Sequence, residues 1–81
     1  MKIKIKYYSV YQNMLKKNEE IIEINNSAMV SDVFEWVMKD YPQKNNFLKI
    51  TRFAVNSEFS SLEHRLKEGD EVVFIPPVSG G

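Results

Sequence analysis

The pattern of apolar and polar residues predicts a β-strand near each end of the chain. Residues 2–8 place their isoleucines and Tyr7 on one side and their lysines on the other, which is the two-residue period of a half-buried strand. Residues 71–75, with the sequence EVVFI, are a short run of β-branched and aromatic residues that follows the turn signal EGD. We therefore predict the first strand over residues 2–8 and the last strand over residues 71–75.

The middle of the chain contains one clear helical pattern, within residues 29–42. Its apolar residues recur every three or four positions, at Val30, Val33, Phe34, Val37 and Tyr41. Pro42 ends the predicted helix, because the residue before a proline is disfavoured in the helical conformation. Trp36 and Met38 fall beside the apolar stripe, so we expect both at the periphery of the core.

Shorter segments complete the predicted fold. Residues 9–18 indicate one or two helical turns, residues 19–25 a second strand, and residues 52–56 another strand before an irregular segment. Gly69 is expected at positive φ in a turn before the last strand. The first two strands should pair antiparallel, because their connection is too short for a parallel crossover. This order predicts an α+β roll, in which a mixed sheet with parallel first and last strands at its centre wraps one main helix.

The composition excludes several classes of function. The chain has 81 residues, which is enough for one domain, and eleven basic residues balance eleven acidic ones, so nucleic-acid binding is not expected. The absence of cysteine removes thiolate catalysis, and His64 is the only histidine, so no metal site is predicted. No signal peptide or membrane span is expected, and the predicted location is the cytoplasm.

Strand parity predicts an apolar patch on the outer face of the sheet. If Glu71 faces water, Val73 and Ile75 face the same way. Tyr8 shares the outward side of the first strand with the lysines, and parallel pairing would bring it to the same end of the sheet as Ile75. Clustered exposed apolar residues beside the chain terminus favour a docking surface.

The last six residues, PPVSGG, form a distinct segment. We predict a domain over residues 1–75 and a flexible tail over residues 76–81. Pro76 and Pro77 restrict the backbone, so the tail should leave the last strand in an extended conformation. Gly80 and Gly81 have no side chains, which suits a tail that threads into a narrow channel.

The chemistry of such a tail would reside in its terminal carboxylate. A carboxylate is a poor electrophile, so it would need activation, for example adenylation by ATP on a partner enzyme. If this cysteine-free protein carries sulfur, it must hold the sulfur as a terminal thiocarboxylate. If it carries none, the activated glycine would be transferred to an amine of another protein.

Residues 54–81, AVNSEFSSLEHRLKEGDEVVFIPPVSGG, closely resemble the C-terminal third of the sulfur-carrier small subunit of molybdopterin synthase. The strand followed by AVN, the turn and strand containing GDEV, and the PPVSGG ending agree in kind and in spacing. The remaining two thirds fit in length and in the order of elements. The resemblance implies the ubiquitin-like β-grasp fold, which is consistent with the predicted roll.

The resemblance also implies a function. An E1-like enzyme would adenylate Gly81, using ATP, and a sulfur donor system would convert the glycyl adenylate into a thiocarboxylate, 1-thioglycine. The tail would then enter the active site of a large subunit and donate sulfur to cyclic pyranopterin monophosphate, forming the dithiolene of molybdopterin. The small subunit would bind no cofactor, the large subunit would supply the substrate-binding groups, and two copies of each subunit would assemble.

By position, Gly80 and Gly81 match the tail of the family, and three residues match its apolar contacts to the large subunit: Tyr8, Phe59 and Ile75. Tyr8 stands where the family favours phenylalanine, and Ile75 replaces an aromatic residue, so the patch stays apolar. The full set of predicted partner-binding residues is Tyr8, Phe59, Val73, Ile75, Pro76, Pro77, Val78 and Ser79.

Two other functions remain open at the level of the sequence. A sulfur carrier of the thiamine pathway shares the fold and the glycine pair, but it is usually shorter and is not expected to have paired prolines. A ubiquitin-like protein modifier would be joined to lysines through Gly81, although ubiquitin-type tails tend to be rich in arginine. The detection of isopeptide-linked adducts would identify a modifier.

Overall fold

Five strands and three helices form the part of the chain that the computed structural model describes, residues 1–77. In chain order they are β1 (Lys2–Tyr7), α1 (Val10–Leu15), β2 (Glu19–Glu23), α2 (Val30–Met38), α3 (Lys44–Ile50), β3 (Arg52–Val55), β4 (Glu58–Ser60) and β5 (Glu71–Ile75). None of these helices has the length and the apolar composition that crossing a bilayer requires.

The strands form one mixed sheet in the order β2-β1-β5-β3-β4. β1 and β5 run parallel, and the other neighbouring strands run antiparallel. The predicted α+β class, the antiparallel β1–β2 pair and the parallel pairing of the first and last strands are therefore confirmed. β5 ends at Ile75, and the boundary between domain and tail after this residue stays a prediction.

The inner face of the sheet and the apolar side of α2 form the core. As strand parity predicts, Ile3, Ile5 and Tyr7 of β1 are buried. α2 packs across this face, and the ring of Phe34 lies 5.7 Å from that of Phe53 in β3. The buried residues of α2 are Val30, Val33, Phe34, Val37 and Met38.

Phe74 of β5 lies at the centre of an aromatic cluster. Its ring centre is within 5.2 to 5.8 Å of those of Tyr7, Tyr11, Phe34 and Phe53. Three of these four contacts are edge-to-face, with interplanar angles of 82° to 86°, which is a favoured geometry for aromatic pairs. The cluster joins β1, α1, α2 and β3 to the central strand.

The irregular segment before β5 closes over the beginning of α2. The backbone amides of Val30 and Ser31 donate to the carbonyl oxygens of His64 and Leu62, at 3.1 and 2.9 Å, respectively. The first amides of a helix have no partner within the helix, so this segment supplies the acceptors. As predicted, Gly69 has positive φ, at 84°.

The end of α2 differs from the prediction, because the helix stops at Met38 and not beside Pro42. In a continuing helix the carbonyl of Met38 would accept from the amide of residue 42, which proline lacks. The amide of Tyr41 donates to it instead, at 2.9 Å, in a tighter turn. The effect of Pro42 therefore reaches four residues back along the chain.

One further expectation about this region is wrong, and one helix lies where none was predicted. The prediction that Met38 lies at the periphery is wrong. Met38 is fully buried, because its side chain packs into the core cluster at the last turn of α2. Trp36 is partly exposed, as expected, at 37%. The periodicity did not predict α3, which has no fully buried residue and packs on the core only through half-buried Phe47 and Leu48.

We expect Phe74→Leu to lower the free energy of unfolding by about 1–2 kcal/mol, because leucine has no aromatic ring to pack against the four rings around Phe74. Phe59→Leu is the matched control, since Phe59 is 74% exposed and should tolerate the change. Urea unfolding followed by circular dichroism measures both. Equal losses in the two variants would contradict a central role for Phe74.

Candidate functional site

The outer face of the sheet carries an apolar cluster where β5 ends. In the strand register Val73 lies opposite Ala54, and Ala54 lies opposite Phe59. Tyr7 is level with Phe74, so the following residues, Tyr8 and Ile75, lie at the same end of the sheet. We call Tyr8, Phe59, Val73 and Ile75 the outer patch. Phe59 and Tyr8 are 74% and 50% exposed, and the other two are half-buried.

The predicted site residues therefore divide into those that the structure describes and those that lie beyond residue 77. The structure brings the four residues of the outer patch to one face of the sheet. Pro76, which is half-buried, and Pro77, which is exposed, continue directly from this face. The remaining predicted residues, Val78, Ser79, Gly80 and Gly81, lie outside the described residues, so their roles stay predictions.

In the sequence, Tyr8 lies between two buried tyrosines whose hydroxyl groups are hydrogen-bonded. The hydroxyl of buried Tyr7 donates to the carboxylate of Glu20, and burial, this bond and the negative charge raise the pKa of Tyr7 well above its usual range. Buried Tyr11 shares a 2.6 Å hydrogen bond with the hydroxyl of Thr51. Tyr8 lies between these two buried residues in the sequence and is itself half exposed.

The turn between these tyrosines is strained at Ser9. Its φ is 53° and its ψ is −121°, a combination that residues with a side chain rarely adopt. The amide of Tyr11 donates to the carbonyl of Tyr8 at 3.1 Å and closes the turn. The strained residue, Ser9, therefore directly follows Tyr8, an exposed residue of the outer patch.

A groove of about 600 Å³ lies beside the outer patch where the chain leaves the sheet. We call it the exit groove. It is lined by Lys49, Ile50, Thr51, Arg52, Phe59, Ile75, Pro76 and Pro77. The sequence did not predict the contribution of Lys49 and Ile50, because these residues reach the groove only through α3. Ile50 is 52% exposed, and such an apolar residue at the end of a polar helix is the one available signal.

Charge is distributed unevenly over the outer face. On the side of β1 and β2, Lys4 pairs with Glu19 at 3.4 Å and Lys6 pairs with Glu71 at 3.8 Å. Within residues 1–77, neither Lys49 nor Arg52 has a carboxylate within 4.0 Å. One side of the face is thus balanced in charge, whereas the exit groove is apolar and cationic.

The arrangement of the strands around one main helix defines a ubiquitin-like β-grasp protein. SAMP1 from Haloferax volcanii has the same fold, with a TM-score of 0.87 over all of both chains at 19% identity. A putative molybdopterin converting factor subunit 1 from Pyrococcus furiosus has a TM-score of 0.78 at 29% identity, covering 96% of this chain and 99% of that one. A complex of subunits 1 and 2 of molybdopterin-converting factor from Helicobacter pylori includes a chain with a TM-score of 0.67 at 21% identity over all of both chains.

The chain belongs to the ThiS family, whose model matches residues 5–81. It is 32% identical over 83 residues to the molybdopterin synthase sulfur carrier subunit of Chlamydomonas reinhardtii, with all of both chains covered. It is 28% identical over 82 residues to the protein of the same name from Mycobacterium tuberculosis. This match covers all of this chain and 99% of the relative. The resemblance inferred from residues 54–81 is therefore confirmed for the family.

We expect Ser9→Gly to raise the free energy of unfolding by about 1 kcal/mol, because glycine adopts the φ and ψ of Ser9 without steric strain. Ser61→Gly is the control, since Ser61 is not among the residues with positive φ and gains no relief. Thermal unfolding of both variants tests this expectation. A loss of stability in Ser9→Gly as large as that in the control would show that the turn is not strained.

Proposed function

We propose that this protein is the sulfur-carrier small subunit of molybdopterin synthase and that it carries sulfur on the carboxyl group of Gly81. The observation that carries the proposal is the position of the outer patch, which lies where β5 leads into the segment PPVSGG. A docking surface next to a reactive tail suits a protein that delivers its terminus into a partner. Membership of the ThiS family and the names of the two curated relatives support the same function.

The proposed chemistry begins with activation of the terminal carboxylate. An oxygen of Gly81 attacks the α-phosphate of ATP on an E1-like enzyme, so that pyrophosphate leaves and an acyl adenylate forms. A sulfur nucleophile at the oxidation level of sulfide then displaces AMP and leaves a thiocarboxylate. On the large subunit this sulfur is transferred to cyclic pyranopterin monophosphate, and water restores the carboxylate.

In this scheme the described side chains bind and position but do not react. The chain has no cysteine that could hold sulfur, which agrees with a carrier that uses its backbone terminus. The outer patch would bury its apolar side chains against the large subunit and so fix the base of the tail. The activating enzyme would use the ATP, and two small and two large subunits would form the complete synthase.

We expect deletion of Gly81 to abolish the formation of molybdopterin from its precursor by the reconstituted synthase, because the remaining carboxyl group would end one residue short of the reaction site. Glu63→Ala, at an exposed residue outside the outer patch and the tail, is the control and should retain activity. Intact mass spectrometry of the parent from its own cells should find a form about 16 Da heavier, as sulfur replaces oxygen. Normal synthesis by the deletion variant would contradict the proposal, and adducts on lysines of other proteins would indicate a modifier.

We expect Phe59→Ser to weaken binding to the large subunit by about 2 kcal/mol, or roughly 30-fold, because it removes an apolar anchor from the outer patch. Ile21→Ser is the matched control, since Ile21 is 67% exposed and lies on the opposite edge strand, β2. Isothermal titration calorimetry measures both affinities, and thermal unfolding checks that both variants are folded. Equal affinities for the two variants would exclude Phe59 from the interface.

A further inference from the structure

The exit groove combines an apolar floor with two cations. Ile50 and Phe59 are exposed large apolar residues, and Ile75, which also lines the groove, directly precedes the tail in sequence. Lys49 and Arg52 lie at the same groove. Exposed apolar area is costly in water, so this combination suits a peptide that is both apolar and acidic.

Hydrogen bonds of Thr51 hold the backbone next to both cations. The hydroxyl of Thr51 donates to the carbonyl of Phe47 at 2.6 Å and is also bonded to Tyr11. Thr51 lies between the last turn of α3, which carries Lys49, and the first residue of β3, Arg52. The backbone positions of Lys49 and Arg52 are therefore set before any partner binds, which lowers the ordering cost of an ion pair.

Lys49 and Arg52 are the two cations that line the exit groove. Two lysines of β1 on the same face, Lys4 and Lys6, are paired with Glu19 and Glu71. Across the described part of the chain, no carboxylate takes the same role for Lys49 or Arg52. The groove is thus complementary in charge to an acidic segment, and two isolated cations are too few for a nucleic-acid backbone.

We infer that the exit groove receives an acidic segment with flanking apolar residues from the large subunit, and that Lys49 and Arg52 form ion pairs with it. This inference rests on the proposed function, because it assumes that the partner accepting the tail also covers the groove beside the tail. The outer patch then supplies apolar contact area, and the groove supplies charge selectivity. A partner with a basic segment at this place would be rejected by like charge.

The double variant Lys49→Glu/Arg52→Glu tests the inference by reversing both charges. We expect its affinity for the large subunit to fall at least about tenfold at low ionic strength. The difference from the parent should shrink at high ionic strength, where salt screens exposed charges. Lys16→Glu/Lys39→Glu is the matched control, because it makes the same change in net charge at exposed lysines outside the groove, and it should bind within about twofold of the parent.

Each outcome has a distinct meaning when thermal unfolding shows that all variants are folded. If the parent binds the large subunit and the groove variant matches the control, the inference is wrong and the proposed function stands. If the parent itself does not bind the large subunit, the proposed function fails. A third outcome would also overturn the inference. Sedimentation would show that the parent and the control form dimers and that the groove variant is a monomer, while the affinity of the groove variant for the large subunit is unchanged. In that case a second copy of the chain occupies the groove.

Discussion

Packing around Phe74 is the constraint on which the rest of the structure depends. Its ring contacts aromatic rings from β1, α1, α2 and β3, so five elements meet at one side chain. The strand that carries it is hydrogen-bonded on both sides, to β1 and to β3. In a domain of this size a single cluster accounts for much of the core, and its loss would affect every layer at once.

The same strand links stability to the candidate site, because successive residues of a strand point to opposite faces. Phe74 faces inward, whereas its neighbours Val73 and Ile75 face outward and form half of the outer patch. The packing that fixes Phe74 in the core therefore also fixes the backbone positions of Val73 and Ile75 in the outer patch. Tyr11 makes a comparable link, since its ring packs on Phe74 and its hydroxyl reaches Thr51 at the edge of the exit groove.

The first strand and its faces could be predicted from the sequence because its alternation is strict. In the last strand, parity counted from Glu71 predicted that Val73 and Ile75 lie on the outer face. α3 could not be predicted, since its polar sequence has only a partly buried apolar side and depends on contacts with the rest of the fold. Met38 was misassigned for a related reason: helical spacing describes one stripe, whereas α2 buries a wider surface. The exit groove escaped prediction because it combines α3 with distant strands.

The hydrogen-bonded attachment of β5 has a consequence for the reach of the tail. Ile75 is held in register with Arg52, and Gly81 is six residues further along the chain. Six extended residues span at most about 20 Å, so the carboxyl group of Gly81 stays within that radius of a fixed point. A surface that docks this domain would therefore convert tail entry into an intramolecular step, with an effective concentration of the terminus in the millimolar range. The length of this tether, as much as any contact, would determine which partner cavities Gly81 can reach.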